Sequence, residues 1–340
     1  TQSRSSAASD VYKRQDFTGQ PDSPQGLMSA IGHTPLVDFS AGFAPNARVW
    51  GKLESFNPGG SAKDRTARAL VADATAKGLL HPGAVAVESS SGNLGIALAR
   101  EAVIGGWEFH CVVDPRTNAA TLAMMRALGA VLHPVTEPDP ETGDWLTARR
   151  NLVAQLKEEL GAVNLDQYSN RAAFDAHDFG TMAEIVQQLG HAPEMVVVAV
   201  STTGTIGGCL RHVREHGYAT KVVAVDAEGS VLFEGARGER ILPGYGAGVV
   251  TELSKEVEPD RVIRVEAFDA IDAARALARS TGFVPGASGG AVAWAVEKLV
   301  SEGAADEIVG VFHDDGRAYL DTVYNLSLIH ISEPTRLLSI

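Results

Sequence analysis

Two hydrophobic periods alternate along this chain. Short runs rich in β-branched residues predict strands: "ARVWGKL" (47–53), "AVAVE" (84–88), "EFHCVVD" (108–114), "AVLHPV" (130–135), "MVVVAV" (195–200), "KVVAVD" (221–226), "RVIRV" (261–265) and "EIVGVF" (307–312). Between most of them, apolar positions recur every three or four residues and predict helices over 61–78, 93–104, 117–128, 145–160, 171–188, 205–215, 267–281 and 288–301. Strands that are apolar at nearly every position, alternating with helices, imply an α/β fold with parallel or mixed sheets flanked by helices on both faces. The turn-rich "TEPDPETGD" (136–144) and a break near 165 divide the pattern into two sheets. The expected organisation is an N-terminal α/β domain over 26–165, with a first segment able to cross to the other domain, and a C-terminal α/β domain over 166–326. No repeat of fixed period stands out.

Composition narrows the classes of function. The 340 residues are 45% hydrophobic, enough for a substantial packed core rather than a disordered chain. A net charge of −13 argues against nucleic acid or an anionic membrane as partner, since both select a basic surface. No apolar run approaches the roughly 18 residues of a membrane span. The only two cysteines, Cys111 in "FHCVV" and Cys209 in "GGCLR", are too far apart for a metal knuckle. They read as buried thiols in a reducing cytoplasm, and no metal site is expected. "SAASDVYKRQ" and "SLIHISEPTR" look like translated adaptor sequence, so residues 1–25 and 327–340 are read as tails foreign to the fold.

In open α/β sheets, ligands bind where the carboxyl ends of strands meet helix N-termini. Three loops rich in glycine and hydroxyl residues occupy such places: "ESSSGNLGIALA" (88–99), "VSTTGTIGG" (200–208) and "GASGGAVAW" (286–294). Any one alone is more often an N-capped turn than a site. Together with "NPGGSAKDRTA" (57–67), which places Lys63 behind a glycine pair at the start of a helical pattern, they form a constellation. No G-x-G-x-x-G with an acidic residue about 20 positions on opens the first βα unit, and "GGSAKD" lacks P-loop spacing. "STTGT" instead suits a single phosphate held by amides and hydroxyls. One phosphate, one amine and one hydroxyl for a ring nitrogen are what pyridoxal phosphate requires.

Over roughly residues 26–326, "IGHTPLV" (31–37), "NPGGSAKDR" (57–65), "SSGNLGIALA" (90–99), "STTGTIGG" (201–208) and "GASGGA" (286–291) occur in this order. On these motifs the chain resembles the fold-type II pyridoxal-phosphate enzymes of the cysteine synthase and cystathionine β-synthase family, whose fold is tryptophan synthase β-like. "VVDPRTN", "QYSN", "VAVDAEGSV" and "LPGYGAG" bring it nearest to the synthases of the 2,3-diaminopropionate (siderophore) pathway, which join O-phospho-L-serine to L-glutamate. Leu94, where a threonine is usual in cysteine synthases, supports that choice.

The resemblance implies a role for each motif. Lys63 would hold the cofactor covalently and, once displaced by substrate, take the Cα proton. Its helix N-terminal position would lower the amine's pKa. Asn93 would bond the ring hydroxyl, Thr202, Thr203, Gly204 and Thr205 the phosphate, and Ser288 the pyridine nitrogen. Ser90, Ser91 and Gly92 would grip the substrate carboxylate. Arg149, Tyr168 and Ser201 are the candidates for meeting the phosphoserine leaving group. His33 and His177 read as loop and core residues, and "HDDGR" (313–317) as a turn close to the cofactor edge. A cytoplasmic homodimer is expected. A thiol-using cysteine or cystathionine synthase, and a non-catalytic relative acting as a binding partner, are the alternatives.

Overall fold

The computed structural model describes residues 26–43 and 47–325. The two tails read as foreign lie outside the described residues. In chain order the strands are β1 (Leu36–Asp38), β2 (Arg48–Leu53), β3 (Val85–Ser89), β4 (Glu108–Val113), β5 (Val131–Pro134), β6 (Val163–Asn164), β7 (Met195–Ala199), β8 (Lys221–Ala227), β9 (Arg261–Val265) and β10 (Glu307–Phe312). The principal helices are α1 (Lys63–Ala76), α2 (Asn93–Gly105), α3 (Ala119–Ala127), α4 (Trp145–Leu160), α5 (Ala172–Ala176), α6 (Ala183–Leu189), α7 (Gly204–Glu215), α8 (Ala267–Thr281) and α9 (Ala287–Ser301). A π-helical turn, His177–Met182, joins α5 to α6. All eight predicted strands form. β1 and β6, of three and two residues, are too short to show a period.

The strands make two sheets. One has six strands in the order β1-β2-β10-β7-β8-β9, parallel throughout except for β1 against β2. The other has four parallel strands in the order β5-β4-β3-β6. The early strand β2 therefore pairs with the last strand, Arg48 opposite Glu307 and Leu53 opposite Phe312. The small sheet is built from the stretch of chain between.

Period-two alternation explains how each strand serves two helix layers. In β7, Met195, Val197 and Ala199 face a core shared with Leu277 of α8 and Ala291, Val292 and Val296 of α9. Val196 and Val198, with Val200 just beyond, face Ile206, Cys209 and Leu210 of α7. Each fully buried valine contributes roughly 1.5–3 kcal/mol, so one charge on either face of this strand would outweigh a typical cap or surface pair. In the small sheet, Ala86, Phe109 and Cys111 face α1 and α2, while Val87 and Val112 face Val153 and Leu156 of α4. Both cysteines are free and buried, as expected. Among the described residues no helix is long and apolar enough to cross a membrane.

Several glycines in the conspicuous loops serve packing rather than ligand contact. A Cβ on Gly290 would lie 2.1 Å from the Ala270 carbonyl oxygen, so α8 and α9 cross at backbone distance. A Cβ on Gly207 would meet the Phe174 ring at 2.1 Å, and one on Gly208 the Phe174 carbonyl oxygen at 2.5 Å. These positions seat α7 against α5 and the π-helical turn.

Candidate active site

Lys63 is the first residue of α1, and its backbone N–H donates to Ser61 Oγ at 3.2 Å. Burial pushes the pKa of its amine down to about 8, well below that of an ordinary lysine. Loss of solvent is thus the cause found for the lowering that the sequence attributes to the helix start. A buried ion cluster under this turn fixes its path. Arg65 Nε donates to Glu54 Oε2 at 2.7 Å and Arg65 Nη1 to Glu184 Oε1 at 2.6 Å, while Lys52 Nζ donates to Glu184 Oε2 at 2.7 Å. Thr34 of "IGHTPLV" joins it by donating to Glu54 at 3.0 Å and accepting from Arg65 at 3.1 Å. His33, exposed with φ +47°, turns the backbone so that its N–H reaches Glu184 at 2.9 Å.

The segment after β10 gathers three predicted parts of the site. Ala62 N–H donates to the His313 carbonyl at 2.8 Å, Asn93 Nδ2 to Asp314 Oδ2 at 2.8 Å, and Gly286 N–H to the Asp314 carbonyl at 3.2 Å. Lys63, Asn93 and Ser288 are thereby anchored around residues 313–314. Tyr319 also donates to Asp314 Oδ2 at 2.8 Å. Burial raises the Asp314 carboxyl to about 6, against the pull of the Tyr319 and Asn93 donors. Its other oxygen, Oδ1, is buried without a hydrogen-bond partner among the described residues and faces Gly286, where any Cβ would lie 1.9 Å away. The place of "HDDGR" directly after β10 is the sequence's signal for this segment, but the anchoring role of Asp314 depends on contacts with Asn93 and Tyr319 that no local pattern shows.

The phosphate-loop candidates are tied to the lysine helix by a histidine. Thr203 takes the left-handed conformation, φ +68°, at the N-terminus of α7, whose first turn holds no acidic residue to repel an anion. Thr202, Thr203 and Thr205 are all buried. His177 Nε2 lies 3.3 Å from Thr205 Oγ1 and 3.1 Å from Thr66 Oγ1, one turn after Lys63, while its Nδ1 lies 2.9 Å from Thr181 Oγ1. Burial, aided by the nearby Arg65 cation, keeps this imidazole neutral well below its ordinary pKa. The core reading of His177 holds, and the structure adds that this core residue couples two loops of the site.

The remaining candidates sit beside the small sheet. Ser90 is buried with its hydroxyl turned into its own loop, accepting from Gly95 N–H at 2.9 Å, whereas Ser91 is exposed. Arg149, buried on α4, points its Nε at Asp114 Oδ2, 3.3 Å away at the carboxyl end of β4. Arg116 reaches the same oxygen at 2.8 Å. Burial opposes the Asp114 charge, but these two guanidiniums hold its pKa below the ordinary carboxylate range. Burial raises the Tyr168 phenol to about 12, and the Arg149 cation acts on it in the opposite sense. Ser201 follows β7, beside Val200, whose carbonyl accepts from Gly246 N–H at 2.6 Å.

A family profile described as pyridoxal-phosphate dependent enzyme matches residues 27–314. The chain belongs to the pyridoxal-phosphate dependent enzyme family. It is 40% identical over 304 residues to N-(2-amino-2-carboxyethyl)-L-glutamate synthase of Ralstonia nicotianae, covering 88% of this chain and 90% of the relative. It is 39% identical to the synthase of the same name from Cupriavidus metallidurans, covering 88% and 89%. Among solved structures it is similar to O-ureido-L-serine synthase, at 28% identity and a TM-score of 0.81, over 91% of this chain and 99% of the other. It is similar too to the O-acetylserine dependent cystathionine β-synthase of Helicobacter pylori, at 27% identity and 0.82, over 88% and 99%. The side chains of this member of the pyridoxal-phosphate family fit the cofactor. They present a lysine amine depressed by burial, an uncharged threonine-lined helix start for a phosphate, and the amide of Asn93 fixed by Asp314.

Proposed function

We propose that this pyridoxal-phosphate enzyme replaces the phosphate of O-phospho-L-serine with the amino group of L-glutamate. The products are N-(2-amino-2-carboxyethyl)-L-glutamate and inorganic phosphate. When bound, the cofactor supplies an electron sink for the carbon that carries the substrate amine. Lys63 holds it, with Thr202, Thr203, Gly204 and Thr205 at its phosphate, Ser288 at its ring nitrogen and Asn93 at its ring hydroxyl. The Lys63 amine, near 8, is poised to take the Cα proton and later return it. The Cβ–O bond breaks with its electron pair leaving on phosphate, and the glutamate nitrogen forms the new bond to Cβ and loses a proton. Arg149 and Tyr168, with Ser201, meet the departing phosphate, and Ser91 with the Gly92 amide holds the substrate carboxylate while Ser90 shapes that loop.

The observation that carries this reading is the desolvated Lys63 amine anchored beside Asn93 and Asp314, in a chain about 40% identical to two synthases of this name. The test is a product assay. The purified protein with pyridoxal phosphate, O-phospho-L-serine and L-glutamate should release phosphate and form the C–N adduct, identified by mass spectrometry. Efficient sulfide-dependent cysteine formation with little adduct would replace this reading with the thiol one. We infer further that the enzyme works as a homodimer, which light scattering would test.

A further inference from the structure

A second cluster of charge, sharing only Arg149 with the residues assigned above, lies beside the segment that passes Ser288. The irregular segment between β8 and β9 passes Ser288 and Tyr319 at Gly244, where an added Cβ would lie 3.9 and 3.5 Å from them. It then touches the end of β7 at Gly246. The side chain of Arg240 covers that glycine, its Cδ 3.4 Å from where a Cβ would stand. A Cβ on Gly248 would lie 2.9 Å from Arg240 Nη2 and 3.4 Å from Oδ1 of Asp144, the N-cap of α4 on the small-sheet side. The loop thus spans the two sheets with Arg240 in the gap.

Its neighbours leave positive charge uncompensated. Arg116, Arg149, Arg237 and Arg240 stand against the carboxylates of Asp114, Asp144 and Asp226, and Asp114 is already shared by Arg116 and Arg149. Among the described residues, neither Arg237 nor Arg240 forms an ion pair. Arg237 donates to the Gly248 carbonyl at 2.6 Å, and Arg240 has Asp144 and Asp226 in its field only at longer range. Burial and the Arg116 cation both work against the Arg240 charge, so the cluster is held together at a cost that an arriving anion would relieve. In a chain of net charge −13, a local excess of cations beside a reaction site acts as a funnel for an acid.

We propose that Arg240, with Arg116 and Arg237, forms the subsite for the carboxylates of the second substrate, a dicarboxylic amino acid that enters amine first. The inference rests on the reaction proposed above. An acceptor must aim its nitrogen inward at Cβ, so its anionic groups trail toward the mouth. Guanidinium forks match them in a way a single lysine cannot. This assigns two jobs to two sets of arginines: Arg149 faces the leaving phosphate, and Arg240 the incoming acid.

The two halves of the reaction can be read separately. Phosphate release from O-phospho-L-serine in a single turnover requires no acceptor, whereas adduct formation does. In the holoenzyme, R240A and R237A should each raise KM for L-glutamate roughly 10- to 100-fold while the single-turnover phosphate release changes less than about two-fold. The preference for L-glutamate over L-glutamine as acceptor should fall with it, and R240K should recover part of the loss. An unchanged KM for L-glutamate in both variants, with normal adduct formation by wild type, overturns the subsite alone. Loss of phosphate release in R240A, restored in R240K, would move these cations to the leaving group and also overturn it. A wild-type enzyme that releases phosphate yet forms no adduct with L-glutamate sinks the proposed reaction and this subsite with it.

Discussion

The ground beneath Lys63 and the arginine mouth opposite are built on contrary principles. Under Lys63 every charge has a buried counterpart: Lys52 and Arg65 against Glu184, Arg65 against Glu54, with Thr34 and Gln188 filling the remaining donor and acceptor positions. At the mouth, cations outnumber carboxylates, and the backbone includes Phe233 and Glu234 at positive φ and a run of glycines. The first arrangement holds the turn that carries Lys63 in place, since removing any one carboxylate leaves a buried cation short of a counterion. The second leaves charge to be completed by a ligand. The proposed reaction would thus seat proton transfer where the fold is most constrained, and selectivity where it is least regular.

The sharpest way to break this contrast is at its centre. Lys63→Ala should lower the rate at least ~1,000-fold and abolish covalent attachment of the cofactor, read by steady-state kinetics and by mass spectrometry after borohydride reduction. Glu184→Ala, which leaves Lys52 without a carboxylate and Arg65 with Glu54 alone, should cost about 3–5 kcal/mol of folding stability in urea titrations, whereas Arg237→Ala at the exposed mouth should cost under ~1 kcal/mol. Equal losses in the two would erase the distinction. Arg149→Ala should reduce kcat/KM for O-phospho-L-serine roughly 10- to 100-fold and affect O-acetyl-L-serine much less, a change in ratio that initial rates would show.

The smallest expected effect concerns pH. Burial, with the Lys63 charge adding to it, holds His313 down at about 4, below the 6.5 of a free imidazole. In the cofactor-free protein, the unfolded chain binds a proton between those values that the folded chain does not. His313 therefore contributes stability that is present above about 6.5 and is lost as pH falls through 4. His313→Gln should flatten that part of the stability profile, and an unchanged difference in unfolding free energy between pH 4.5 and 7 would remove His313 from the account.

Much of this was legible in the sequence because it is periodic. Runs such as "MVVVAV" and "EIVGVF" bury both faces and announce themselves, and the helices between them keep their spacing. The motif loops fell at strand ends for the same reason. What escaped depends on contacts between residues far apart in the chain. Nothing local distinguishes Gly207 and Gly208, which let helices approach, from Gly204 in the same motif at the helix start. His177 is legible as a core residue, but its link between Thr66 and Thr205 exists only once α1 and α7 are packed together. The segment that carries Arg240 has no period to read, so its charges became meaningful only beside Arg116 and Asp144.

The pairing of β2 with β10 has a bearing on how the chain is made. Trp50 and Glu307, 257 positions apart, meet across that pair. On a ribosome the four-stranded sheet can assemble as soon as its contiguous stretch emerges, whereas β2, paired only with β1, must wait with its other edge open until β10 is translated. Premature termination anywhere before β10 would leave those two strands with exposed edges, a template for aggregation rather than a shortened enzyme.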